Sequence, residues 1–137
     1  MNFNNEKDGV LYGYVKGLSM WPGFIPGDIL MAERVVPADL NPDEIIVLNY
    51  RSDNPVVHRL ISIEKGSNNS IELHTAGDRS GKDAPTQLIG NEKLLKVIGV
   101  LRKGRWKTPF NKPFPLSSRI PGVIVSVHCK FVRKIFW

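Results

Sequence analysis

Val56-Val57-His58-Arg59-Leu60-Ile61-Ser62-Ile63-Glu64-Lys65 is the stretch on which the fold turns. Val57, Arg59, Ile61 and Ile63 alternate with Val56, His58, Leu60 and Ser62, a period of two residues. Successive side chains of a strand point to opposite faces, so this period predicts a strand. Just upstream, Arg51-Ser52-Asp53-Asn54-Pro55 clusters turn formers. Pro55 has no amide to give to a ladder, so these residues read as a hairpin connection.

Working outward, residues 44–50 (EIIVLNY), 28–36 (DILMAERVV) and 10–16 read as earlier strands, the middle one opened by a Pro26-Gly27-Asp28 turn. Residues 71–75 and 96–101 (KVIGVL) read as later ones, separated by a surface loop over residues 76–85 and a short helix over residues 88–95. Four prolines between residues 108 and 121 predict an irregular connection to a final apolar and basic segment. Many short strands joined by Gly- and Pro-containing turns imply an all-β chain. The expectation is a single compact barrel-like domain over residues 1–137, with its core at about residues 10–104 and a basic apolar tail over 105–137.

A chain of 137 residues can bury a core without disulfide or metal staples. Its one cysteine, Cys129, rules out an intramolecular disulfide and a cysteine-based metal site. Three scattered histidines without ligand spacing predict no metal, and no glycine-rich phosphate loop is present, so no cofactor is expected. Charge is divided sharply. Residues 1–92 carry eight Lys/Arg against thirteen Asp/Glu, whereas residues 93–137 carry eleven Lys/Arg and no acid. That basic third predicts either a solvated surface or peripheral contact with an anionic membrane. No apolar run reaches the roughly 20 residues that span a bilayer, and the polar start is no secretory signal, so a cytoplasmic location is expected.

Three groups carry reactive side chains: Gly17-Leu18-Ser19-Met20-Trp21-Pro22 with Gly27-Asp28 after it, Val57-His58-Arg59, and Gly77-Asp78-Arg79-Ser80-Gly81-Lys82-Asp83. A serine hydroxyl needs a base within hydrogen-bond reach, and histidine suits that role because it titrates near neutrality. A carboxylate on the far ring nitrogen would fix the tautomer. Taken singly, each group reads more readily as turn or packing chemistry than as catalysis.

Read together, these groups resemble the type I signal peptidase and LexA-type serine peptidase superfamily. The resemblance rests on Ser19-Met20-Trp21-Pro22, Gly27-Asp28, Val57-His58-Arg59 and Gly77-Asp78, and it spans about residues 14–104. Histidine followed by arginine is the endoplasmic-reticulum and archaeal form; the bacterial enzymes and the repressors have lysine. The resemblance implies Ser19 as nucleophile, His58 as base and an assisting aspartate, either Asp78 or Asp83. It also implies a polypeptide substrate with small residues before the cleaved bond. Gly17, Met20, Trp21 and Pro22 would line the cleft and oxyanion site. Arg79 replaces the family's asparagine, Asp83 lies about one position nearer Asp78, and Gly17 replaces a hydroxyl residue. The missing membrane anchor points to a leader on a cytoplasmic precursor. Two other readings stand beside this one: a catalytically silent peptide-binding module, and a basic domain for membrane or nucleic acid. For the peptidase reading, no nucleic acid is expected.

Overall fold

The computed structural model describes residues 3, 5–68, 70–79, 84–89 and 94–109. In order these form β1 (Asn5–Lys7), β2 (Val10–Tyr14), β3 (Ile29–Val35), a 3-10 turn (Pro37–Asp39), β4 (Ile45–Leu48), β5 (Val56–Lys65), β6 (Ser70–Ala76), β7 (Ala84–Ile89), β8 (Leu94–Arg102) and β9 (Arg105–Lys107). Among the described residues these strands make one antiparallel sheet ordered β1-β2-β3-β8-β4-β5-β6-β7, with β9 added to β8. The chain is all-β, as its alternation predicted. The sheet is not closed: its path ends at β1 and β7.

β4 explains where the core sits. Ile45, Ile46, Val47 and Leu48 are all buried, and a strand covered on both faces reads as a continuous apolar run. Ile45 and Val47 enter a core with Leu11, Phe24, Leu30 and Val57. Ile46 and Leu48 enter a second core with Leu40, Leu60, Leu73 and Leu94. Burying each such side chain contributes about 1.5–3 kcal/mol. Met20, next to Ser19, joins the first core.

At both described ends of the helix expected over residues 88–95, the chain is strand instead. Leu88 and Ile89 end β7 opposite Ile71 and Ser70, and Leu94 and Leu95 begin β8 opposite Val35 and Arg34. Short apolar runs carry no decisive period, and cross-strand partners settle their state. β7 also takes in Ala84 and Pro85, which the sequence assigned to a loop. The β8–β9 hairpin turns at Lys103 (φ 55°) and Gly104 (φ 71°), both in the left-handed region that a two-residue type I′ turn requires. Asp83, His128, Cys129 and the segment over residues 123–137 lie outside the described residues. Among the described residues, no helix is long and apolar enough to cross a membrane.

Candidate active site

Residues 15–28 form a loop between β2 and β3 with a closed neck. The Val15 N–H donates to the Asp28 carbonyl at 2.9 Å, and the Gly27 N–H to the Val15 carbonyl at 2.8 Å. Within the loop, the Phe24 N–H donates to the Met20 carbonyl at 3.0 Å. Met20 and Phe24 are buried in the first core, while Ser19 is exposed. The apolar neighbours thus anchor the loop and leave the hydroxyl at the surface. Below the neck, Asp28 is 0% exposed. Its carboxylate accepts from the Ile25 amide at 2.9 Å and from Arg102 Nε and Nη2 at 2.8 and 2.6 Å. The Nη2 of Arg102 also donates to the Gly23 carbonyl at 3.1 Å. The Gly27-Asp28 motif is therefore a latch between the serine loop and β8.

His58 stands on β5 opposite Ile46 and is half-buried. Burial pushes its imidazole below the ordinary value of 6.5, and the negative charge of Asp78 opposes part of that shift. Ser19 and His58 meet at Gly77. A Cβ placed on Gly77 would lie 2.8 Å from the Ser19 carbonyl oxygen, 3.1 Å from Ser19 Cβ and 3.4 Å from His58 Nε2. Ser19 Cβ and His58 Nε2 are thus no more than about 6.5 Å apart, the sum of the last two distances. A side chain at position 77 would press on both residues. The Arg79 N–H donates to the same Ser19 carbonyl at 2.9 Å, so the turn after β6 is fastened to the serine.

Asp78 is buried and held by its neighbour's partner. Arg59 Nε and Nη2 donate to its two oxygens at 2.7 and 2.8 Å, and Arg59 Nη1 donates to the Asp43 carbonyl at 2.8 Å. Bidentate pairs of this kind fix geometry as well as charge. Arg59 follows His58 and Asp78 follows Gly77, so one ion pair ties the histidine strand to the turn that touches Ser19.

A cleft of about 380 Å³ opens on Ser19 and His58, lined also by Val15, Gly17, Met20, Phe24, Pro55, Val56 and Val57. Its wall is mostly apolar. Gly17 and Met20 belong to its lining; Trp21 is buried and Pro22 half-buried, and neither is part of it. Phe24 and Val15 went unrecognised in the sequence, where each reads as ordinary core. Glu64, Glu72 and His74 on the β5–β6 hairpin are the one group among the described residues with metal-ligand spacing. His74 Nε2 lies 2.7 Å from Glu72 Oε1 and 3.8 Å from Glu64 Oε2.

No family model and no solved structure matches the chain. Among curated proteins, the chain is 28% identical over 93 residues to the signal peptidase complex catalytic subunit SEC11C of Homo sapiens, Mus musculus and Canis lupus familiaris. The match covers 67% of this chain and 48% of each relative, so the chain spans about half the length of the proteins it matches. Over those residues, the protein is a distant homologue of these signal peptidase catalytic subunits.

Proposed function

We propose that the chain is a serine endopeptidase that removes a leader or signal-like segment from a polypeptide, with Ser19 as nucleophile and His58 as general base. The convergence of Ser19 and His58 on Gly77 carries this reading. A half-buried imidazole with a lowered pKa is neutral near pH 7 and free to take the hydroxyl proton. It returns that proton to the leaving amine, and water repeats the sequence on the acyl-enzyme. The Ser19 backbone amide serves the oxyanion. Asp83 is our choice for the carboxylate that orients His58, because both oxygens of Asp78 accept from Arg59. The relatives' description as the catalytic subunit of a signal peptidase complex supports a polypeptide substrate. An apolar cleft suits an extended chain that offers small apolar side chains while its backbone pairs with the flanking strands.

A serine-directed covalent probe tests the proposal. It should label the wild type and fail on Ser19→Ala and His58→Ala, with thermal melts unchanged. Peptide binding by a wild type that neither labels nor cleaves would assign a silent binding module instead.

A further inference from the structure

The β5–β6 hairpin presents two different faces. Leu73 belongs to the second core, and Ile63 and Ile71 pack against it. By alternation, Glu64, Glu72 and His74 stand on the opposite face. Glu64 pairs directly with Glu72 across the two strands, and Ser62 pairs with His74. A register shift between Leu60 and Ser62 sets this pairing, because the extra residue, Ile61, re-aims the outer half of β5. His74 Nε2 lies 2.7 Å from Glu72 Oε1 and 3.8 Å from Glu64 Oε2. The three side chains bring one ligand atom each within 4.8 Å of the others.

Like charges directly opposite each other destabilise a pair of strands. Glu64 and Glu72 are such a pair, and among the described residues His74 is the one basic side chain within ion-pair distance of either carboxylate. With a neutral imidazole the cluster carries two negative charges, which a divalent cation balances. One imidazole nitrogen and two carboxylate oxygens are a donor set suited to zinc. Bonds of about 2.0–2.2 Å at tetrahedral angles set ligand atoms about 3.3–3.5 Å apart. The two distances from His74 Nε2 bracket that spacing. Exposure is graded, from 18% at the His74 side chain through 30% at Glu72 to 65% at Glu64. Packing thus holds the imidazole, and the cluster opens to solvent on the Glu64 side. The sequence conceals this set because Glu64 comes from the neighbouring strand.

We propose that Glu64, Glu72 and His74 form a binding site for one divalent cation of the zinc class, which clamps β5 to β6. None of the three lines the cleft at Ser19. Ala76, two residues beyond His74 on the same strand, pairs with Arg59, and Gly77 follows it against Ser19. The ion would therefore brace the hairpin that carries His58 and leads into the turn beside Ser19. The site is independent of whether Ser19 is reactive.

Titration of the metal-free full chain with zinc chloride tests it, followed by calorimetry and by the His74 ring signals in NMR. One zinc ion per chain should bind at sub-millimolar concentration, move those signals and raise the thermal midpoint. His74→Gln, and separately Glu64→Gln, should each weaken binding by about tenfold or more. Glu64→Gln changes the most exposed ligand and relieves the like-charge pair, so the metal-free variant should melt no lower than the wild type. Absence of zinc binding at sub-millimolar concentration, or affinity unchanged in both variants, would overturn the proposal. Loss of binding in His128→Ala with Cys129→Ser, while the hairpin variants still bind, would overturn it as well. Probe labelling of Ser19 in the metal-free samples reads the catalytic proposal separately.

Discussion

Arg59 donates to both carboxylate oxygens of Asp78, at 2.7 and 2.8 Å, in a pair whose members are only 1% and 9% exposed. Coupling through this pair joins β5 to the turn after β6, the two segments that bring His58 and Gly77 to Ser19. Removing one partner strands the other charge in a low-dielectric interior. Asp78→Asn or Arg59→Met should therefore cost about 3–5 kcal/mol of unfolding free energy, read as a fall in the denaturant midpoint. The double variant should recover a large part of that loss. Additive single effects would mean the pair is not coupled.

Asp83 is separated from Asp78 by the same comparison. If Asp83 orients His58, Asp83→Asn should lower kcat by up to about 10⁴-fold while leaving the unfolding midpoint within experimental scatter. Asp78→Asn should act chiefly through stability. Equal loss of kcat in both variants, at equal stability, would return the orienting role to Asp78.

Gly77 gives a purely steric test. Gly77→Ala places a methyl group 2.8 Å from the Ser19 carbonyl oxygen and 3.4 Å from His58 Nε2. Backbone has to yield, at a cost of about 1–3 kcal/mol. A shift of about 1 Å between nucleophile and base is worth on the order of 10²-fold in rate. Cleavage and probe labelling should both fall by about that factor, more than the stability change alone accounts for.

The all-β class was legible because it rests on local signals, as in the ten-residue period-two strand β5; Ser19 and His58 were singled out by their motifs together, and the fold brings both against Gly77. The latch between Asp28 and Arg102 was not, since its partners are 74 residues apart and only sheet register brings them together. Strands of three residues, β1 and β9, are too short to show a period. The segment from Ala84 to Ile89 follows a Gly/Ser/Asp-rich stretch that reads as loop, and pairing with β6 makes it a strand. Sequence also presented Asp78 and Asp83 as equivalent; the fork of Arg59 fixes Asp78, and Asp83 lies outside the described residues.

Arg102→Ala tests the latch. With Asp28 0% exposed, loss of Arg102 leaves a buried carboxylate with one amide donor, and about 3–5 kcal/mol of stability should go. The damage should centre on residues 15–28, visible as faster amide exchange there than in β4 and β5. Uniform acceleration across all three would mean the latch serves the whole sheet.

His58 sets the pH dependence. If His58 is the general base, activity needs the neutral imidazole, and the acid limb should fall at the lowered pKa of His58, below 6.5. The unfolded chain binds the proton more readily, so keeping His58 neutral adds stability that is full above 6.5 and is lost as pH falls through the folded value. Asp78 holds the imidazolium up by its charge. Asp78→Asn should therefore move the acid limb, and the NMR titration of the His58 ring, to still lower pH. A shift to higher pH would show that burial, relieved by a loosened turn, outweighs the lost charge.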